Sequence, residues 1–551
     1  MALFETRRTR KALLAGAAAV ATLGAAWAVY EETMRPGPLE AMIPESAFAF
    51  TNGDARWMWD ATEELRDGPQ IRAGLAEMEK DLGVSLEKDV VPWAGQVAGA
   101  MLSMDPKQPQ SAFFIEVRNP IQYYTTMARL RTRMEREASR YWKGTGYNGV
   151  PLRYSYLGSG KNRIPVSTAW LKGWLVVGVG NGATKRVIDT WQDRKPSLAD
   201  NSVWANALGQ LPEQSMMRFG VNTGMMAQAG PAGMVAMSTQ VLEMSRAVSA
   251  GGLTELDDGF RMVSSTIATA PASRRFYGAL SAVPTVNEAV LDRLPDGTFF
   301  MVAITDPGAW WDAYEPMFSG ILGADAKTKE AQKFVDAAMA RYEPLTDIIR
   351  RFEEGMALGL TYRPERGFGL ALVGDCGTME TARQSADELA GFVRKFEQEV
   401  TLSEDGSIYR LPVKEGKAPI PLQPAWTVSG EYLVLGSHDM WLEAGTGAER
   451  IPLPDEARTA QVMSRGDFRF VEPALTQFAP PVPSPKGPSK EDVIQGWRRS
   501  GLGEARWWSS SEMRGDGTTH GVGELRNWNW RAALRAFAEQ QRAQSAKAVA
   551  K

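Results

Sequence analysis

The sequence has very few of the residues that form covalent cross-links and metal sites. Of its 551 residues, one is cysteine, Cys376, and two are histidine, His438 and His520. An intrachain disulfide is therefore excluded, and three such residues at these spacings do not supply a Cys/His zinc site. The net charge is only -3, so the charge balance gives no indication of nucleic-acid binding. We expect no metal, no cofactor and no nucleic-acid partner.

Catalytic motifs are also missing. The chain has no G-x-S-x-G nucleophile elbow, and the glycines of VGVGNGATKR (177–186) lack the spacing of a phosphate-binding loop. His438 and His520 both lie in predicted turns, where a histidine caps a helix or faces water. Cys376 has no visible base that would lower the pKa of its thiol. The sequence therefore predicts no catalytic residue and a protein that is not an enzyme.

The N-terminus predicts a membrane segment. Basic residues at positions 7–11 precede a charge-free stretch, residues 12–30, which would span about 28 Å as a helix, close to the thickness of the hydrocarbon core. It is either a single transmembrane anchor or a signal peptide cleaved after the AWA at 26–28. Its apolar side chains include Leu13, Leu14, Val20, Leu23, Trp27 and Tyr30.

Both interpretations export the bulk of the chain, because a basic flank stays on the cytoplasmic side. We therefore expect a single-pass protein of the cytoplasmic membrane, with everything after Glu31 in the periplasm or an equivalent extracytoplasmic space.

The sequence also contains two similar domain openings, since IPESAFAFTNGDARWMWDA (43–61) resembles LPDGTFFMVAITDPGAWWDA (294–313). Aligning Trp59-Asp60-Ala61 with Trp311-Asp312-Ala313 places the apolar run Ala47–Phe50 against Phe299–Val302. Further similar stretches follow in the same order, as a duplication requires. They are 95–117 with 354–374, the helices after each, 147–154 with 404–411, 169–180 with 425–437, and 262–283 with 507–528 as a closing hairpin.

These matches predict an α+β fold made of two tandem copies of one largely antiparallel sheet unit, with helices packed on one face. Asn148-Gly149 and Asp405-Gly406 are hairpin-turn dipeptides whose central positions favour positive φ. The predicted divisions are a basic region (1–11), the membrane segment (12–30), a linker (31–39), the first copy (40–290), the second copy (291–530), and a C-terminal helix and tail (531–551).

The copies differ most at 225–248, which is rich in methionine, and at 478–492, which is rich in proline. Near-helical spacing places several flexible apolar side chains together in the first of these segments, where they either cover their own sheet or face a lipid or a partner. The residues are Met226, Met234, Met237, Val241 and Met244.

The layout resembles a bacterial family, the domain of unknown function 3352. The resemblance lies in the basic N-terminus, the single membrane segment, the IPESAFAF opening, and the DLGVSLEKDVVPWAGQVAGAML passage with Trp93 and Gly95. Membership would imply export and membrane anchoring, and it assigns no activity.

We therefore expect a non-catalytic, membrane-anchored extracytoplasmic protein that binds an envelope protein partner or acts as a scaffold in the bacterial cell envelope. The alternative is a carrier of lipid or another hydrophobic ligand, which would need an apolar cavity. A hydrolase would need two carboxylates close together in a cleft with opposed pKa shifts.

Overall fold

Two compact units make up the chain in the computed structural model. They comprise Met1–Glu63 with Arg72–Ala205, and Glu64–Ile71 with Asn206–Lys551. The structure describes residues 36–66, 72, 73, 75, 76, 79, 85–105, 108–136, 143–157, 163–225, 243–324, 329–365, 367–396, 398–412, 423–443, 455–478, 490–532 and 535.

In the described part of the first unit, seven strands form an antiparallel sheet. The strands lie side by side in the order β1-β2-β3-β7-β6-β5-β4. Their bounds are Ala49–Asp54 (β1), Ala94–Ser103 (β2), Gln110–Val117 (β3), Lys143–Tyr147 (β4), Val150–Leu157 (β5), Ile164–Leu171 (β6) and Trp174–Val179 (β7).

The second unit contains a longer antiparallel sheet. Its order is β8-β9-β10-β20-β19-β18-β11-β12-β13-β17-β16-β15-β14. The bounds are Met217–Asn222 (β8), Ala247–Leu256 (β9), Gly259–Ala268 (β10), Thr298–Ile304 (β11), Gly355–Arg363 (β12), Gly367–Asp375 (β13), Thr401–Leu402 (β14), Ile408–Arg410 (β15), Ala425–Ser429 (β16), Tyr432–Gly436 (β17), Val462–Asp467 (β18), Arg506–Met513 (β19) and Thr518–Arg526 (β20).

Helices occur between the strands in both units, and with the antiparallel sheets they confirm the α+β class. They run over Ala55–Ala61 (α1), Glu63–Arg66 (α2), Pro120–Arg136 (α3), Ala183–Trp191 (α4), Ser202–Gly209 (α5), Pro271–Ser281 (α6), Glu288–Leu291 (α7), Pro307–Ala324 (α8), Lys329–Arg350 (α9), Met379–Arg394 (α10), Val471–Phe478 (α11) and Lys490–Arg499 (α12).

The strand order itself repeats. Strands β11 to β17 follow the order of β1 to β7, and the run β18-β19-β20 parallels β8-β9-β10. The two three-strand runs join through an antiparallel pairing of β10 with β20, near whose middle Val263 lies opposite Val522. A duplicated unit would produce this order, so the observation supports the predicted repeat. The predicted boundary between residues 290 and 291 stays a prediction, because the compact units are defined by packing and divide elsewhere.

The start of each predicted copy is a strand followed by a capped helix. Asp54 Oδ1 accepts from the backbone N of Trp57, and Asp306 Oδ1 accepts from that of Ala309. The sequence alignment places Phe50 against Val302, but Phe50 is buried whereas Val302 is half-buried. Since side chains alternate between faces, burial matches Phe50 with Met301 instead. The predicted strand alignment is therefore wrong by one residue.

The prediction that helices lie on one face of the sheet is also wrong. In the second unit, α9 and α10 pack Ile348, Phe352 and Leu389 on one face. The opposite face is packed against α7 and the turn Asp439–Trp441. Strands β12 and β13 are apolar on both faces, so both faces need cover.

Two local predictions have different outcomes in the structure. The hairpin turn between β4 and β5 has Asn148 at φ 49° and Gly149 at φ 81°, which confirms positive φ at both positions. In the turn between β14 and β15 only Gly406 has positive φ, at 70°. The predicted closing hairpin at 262–283 is wrong, because β10 there leads into α6. Its counterpart at 507–528 is a hairpin, β19 with β20.

Candidate functional site: an uncharged face of the sheet

The residues singled out as chemically reactive have structural roles. His438 Nδ1 accepts from the backbone N of Met440 at 3.3 Å and lies 2.5 Å from Asp439 Oδ1, so this histidine caps a helical turn. His520 lies in β20 between Ser265 and Glu512, where burial lowers its pKa. Among the described residues, no cluster of three or more His, Cys, Asp or Glu side chains is arranged to hold a metal ion.

Cys376 is buried behind β13. Burial raises the pKa of its thiol to about 11, although a hydrogen bond with Ser385 opposes the shift. A nucleophilic cysteine needs the opposite change, because the thiolate is the reactive form. This thiol is therefore a packing group.

The glycine-rich stretch 177–186 forms the tight turn between β7 and α4. Gly180 has φ 97°, and Gly182 caps the helix at φ 79°. Lys185 lies over the ring of Tyr147, with 5.1 Å between its Nζ and the ring centroid. This geometry fits a strand-to-helix connection.

A small cleft lies where the second predicted copy begins. Its volume is about 90 Å³, and its walls come from residues 291–301 and from Arg465, Asp467, Arg469 and Phe470. At ~30 Å³ for each water molecule in the liquid, it has room for about three waters. Ligand pockets for drug-sized molecules are several times larger.

The charges of this cleft form Arg–Asp pairs. The buried carboxylate of Asp467 accepts from Arg469 Nε at 3.0 Å on each oxygen, and Arg506 Nε lies 3.8 Å away. Arg363 Nε donates to the backbone oxygen of Asp296 at 3.1 Å. Burial lowers the pKa of Arg465 to about 10, with Asp467 opposing the shift and Arg506 adding to it. These contacts hold the turn before β11 against the end of β12, and the end of β18 against the start of β19.

A larger feature is the face of the second unit's sheet that carries Met262, Phe300, Leu358, Leu360 and Leu370, called here the open face. Pairing registers place its side chains in rows across the strands. One row reads Leu370, Leu360, Phe300, Gly466, Trp507, Leu525 and Phe260, and the next reads Leu372, Leu358, Val302, Ser464, Ser509, Gly523 and Met262.

Several large apolar side chains of the open face are exposed. The exposed fractions are 36% for Phe219, 44% for Met262, 42% for Leu358, 37% for Leu360 and 41% for Leu370. Phe300 stacks on Trp507 between them, with ring centroids 6.0 Å apart. Contiguous exposed apolar surface of this kind marks interaction sites on proteins.

Charge is nearly absent from the open face. In the sheet, the strands from β9 to β13 lie in the order β9-β10-β20-β19-β18-β11-β12-β13. Among their described residues, Glu255 is the only charged residue at open-face positions. The opposite face of the same strands carries Arg261, Glu524, Arg506 and Asp467. The two faces are therefore chemically different.

Four hydroxyl groups of the open face bond to one another in pairs, whereas Thr519 Oγ1, at another open-face position, is buried without a hydrogen-bond partner. Ser464 Oγ and Ser509 Oγ lie 2.6 Å apart, and Ser249 Oγ and Thr266 Oγ1 lie 2.9 Å apart. Because these groups satisfy each other across neighbouring strands, they do not require a polar partner.

Part of the open face is covered. Helices α9 and α10 pack on its end nearest β17, where Phe352 and Leu389 join a buried cluster with Leu372 and Leu435. Gly374 is required there, because a Cβ at this position would lie 2.5 Å from the ring of Phe352. The exposed residues border this covered part.

The predicted binding and membrane residues fall mainly outside the described residues. This applies to the membrane segment (Leu13, Leu14, Val20, Leu23, Trp27 and Tyr30) and to Met226, Met234, Met237 and Val241. Met244 is described and half-buried, and β9 begins three residues later. The near-helical spacing predicted over 225–248 is therefore wrong at its end, since Val248 is buried in β9. No helix among the described residues is long and apolar enough to cross a membrane.

Comparisons with known proteins give one family and weak structural likenesses, among them two crystal forms of TP0453. The profile of the family described as "Protein of unknown function (DUF3352)" matches residues 12–402. No curated protein matches the chain. Crystal form III of TP0453 is similar at 11% identity and a TM-score of 0.26, over 42% of this chain and 80% of that chain. Crystal form I gives 12% and 0.25, over 42% and 78%. Likeness at this level does not establish a shared fold.

Proposed function

From the premise that the chain belongs to the DUF3352 family, a family of proteins of unknown function, we propose that it is a non-catalytic binding protein of the bacterial cell envelope. The N-terminal segment 12–30 anchors it in the cytoplasmic membrane, and the folded units lie on the extracytoplasmic side. There the protein binds an envelope partner or acts as a scaffold. Its binding surface is the open face.

The observation that carries this proposal is the exposure of apolar side chains on a sheet face whose described strands from β9 to β13 carry one charged residue, Glu255. Met262, Leu358, Leu360 and Leu370 are each 37–44% exposed, so a partner that covered the remaining surface would add about 0.6–1.2 kcal/mol of stabilisation for each side chain. A surface of this composition is expected where it is covered during function.

Several features favour binding over catalysis. His438 caps a turn, Cys376 is a buried thiol with a raised pKa, and the carboxylates of Asp467 and Asp296 face arginines. None of these arrangements activates a nucleophile or a general base.

A carrier of lipid or another hydrophobic ligand is the second candidate. The lack of charge on the open face favours it, because hydrocarbon offers no group to pair with a charge. The carrier proposed here differs from the one expected from the sequence, because its ligand lies on the surface of the sheet and not in an enclosed apolar cavity.

The test is recovery of bound molecules from a detergent-solubilised envelope with the full chain as bait, with protein and lipid analysed in the same eluate. We compare the natural chain with a double variant, Leu358→Asp with Leu360→Asp. The matched control is Met379→Asp, which replaces a side chain that is 48% exposed at the start of α10.

We expect the natural chain and the control to retain a stoichiometric protein or lipid, and the double variant to lose it. Equal recovery by the double variant would refute the open face as the binding surface. Recovery of nothing by the natural chain would refute the binding role.

A further inference from the structure

We infer that the open face binds one acyl chain of a single lipid molecule, laid in extended form across the strands from β13 to β10. This rests on the proposed function, because it names the ligand of the same surface. The inference depends on charge, polar satisfaction, length and access.

Charge selects the class of ligand. Protein partners usually present hydrogen-bonding groups, on the order of one bond for each 100–200 Å² of interface. The open face offers Glu255 as its one charge between β9 and β13, and its hydroxyls Ser464 and Ser509 already bond to each other. Hydrocarbon is the ligand class that matches a surface with a single charge and several exposed large apolar side chains.

Length fits an extended chain. From Leu370 on β13 to Phe260 on β10 the row crosses β12, β11, β18, β19 and β20. At about 4.8 Å between strands, six steps span about 29 Å. One leaflet of a bilayer core is about 15 Å thick, so the row accommodates a complete acyl chain.

Access distinguishes a single lipid from a membrane surface. Helices α9 and α10 pack on the neighbouring part of the same face, and a helix is about 10 Å in diameter. The open face is therefore recessed beside them by about that height. The helices keep a flat bilayer from contacting the open face, whereas a single acyl chain can lie directly on it.

The height of α9 and α10 also disfavours packing of the open face against the open face of a second copy of the protein. Two sheets packed face to face lie about 10 Å apart. Helices of that height on each sheet would meet before the two open faces touched.

The experiment uses the full chain held in an amphipathic polymer without a bilayer. The probe is a monoacylglycerol of palmitate length with a photoreactive diazirine in its chain. After irradiation, labelled peptides are mapped by mass spectrometry for the natural chain, for Leu358→Asp with Leu360→Asp, and for the control Met379→Asp.

We expect labelling of peptides that contain Met262, Leu358 or Leu360, saturating at one probe per chain. The double variant should lower this labelling about tenfold, because it places charges where the chain lies. The control should label like the natural chain.

Three results would overturn the inference. One is labelling outside the open face only, and another is open-face labelling that occurs only when the chain is moved into a lipid nanodisc. The third is a dimer in light scattering that the double variant abolishes.

If the probe fails to label while the envelope recovery yields a protein that the double variant loses, the acyl-chain inference fails and the proposed function stands. If both fail, both are wrong.

Discussion

Cys376 shows at the scale of one residue how the surroundings set its chemistry. From the sequence, a lone thiol without a visible base is expected to be inert. The structure adds the cause, since burial raises the pKa of the thiol to about 11. The neutral form is then favoured, so its contribution to stability is complete below about pH 9 and is lost as the pH rises towards 11.

Cys376 should react slowly with maleimide in the folded chain. At pH 8 about one thiol in a thousand is ionised at a pKa of about 11, against about one in ten at the ordinary value, so the rate should fall about 100-fold or more. The measurement compares labelling rates in buffer and in denaturant. Similar rates in the two would show that the thiol is accessible and ionised.

Asp467 was not among the residues predicted from the sequence. Its environment depends on β18, the turn after it and β19 coming together, which no local pattern reveals. We expect Asp467→Asn to destabilise the fold by about 1.5–3 kcal/mol, because a charge-assisted pair with Arg469 is lost and Arg465 and Arg506 face each other.

Chemical denaturation of Asp467→Asn measures this loss. Asp455→Asn is the matched control, because Asp455 is fully in solvent and lies 3.8 Å from Arg458, and it should change stability little. A similar small effect for Asp467→Asn would contradict the structural role assigned to that carboxylate.

At the scale of elements, the hairpins and capped helices could be predicted from the sequence because their signals are local. Asn148-Gly149 gave the turn between β4 and β5. The predicted strand alignment of Phe50 was wrong because the second copy has one more residue than the first between the strand and the capping aspartate. Only burial reveals which face of the sheet a side chain occupies. For the same reason GMALGLTYR predicts β12, but it does not tell that Leu358 and Leu360 are exposed while Ala357 is buried.

Gly149→Ala should destabilise the β4–β5 hairpin. The space around Gly149 is open, so the cost comes from its φ of 81° and should be roughly 1–2 kcal/mol. Thermal unfolding followed by circular dichroism measures it. Gly144→Ala, also in open space but without positive φ, is the control and should be neutral or slightly stabilising. Equal melting temperatures for the two variants would show that an alanine side chain at position 149 does not strain the turn, and would contradict the prediction.

At the scale of the whole molecule, the order of the strands carries the most information. The sequence predicted a repeat, and the matching strand orders and the β10–β20 pairing support it. The open face could not be predicted, since it arises from rows of residues contributed by strands distant in the chain, such as Met262 and Leu360. The side of the membrane on which the folded units lie is also a property of the whole molecule, and the proposed binding role depends on it.

The most direct test of that location uses the single native cysteine. In a Cys376→Ser background, Met379→Cys places an exposed thiol at the start of α10. Intact spheroplasts are treated with a membrane-impermeant maleimide, and a lysed sample is treated in parallel. The account predicts full labelling of Met379→Cys in the intact spheroplasts. Labelling only after lysis would place the folded units in the cytoplasm and contradict an extracytoplasmic binding protein.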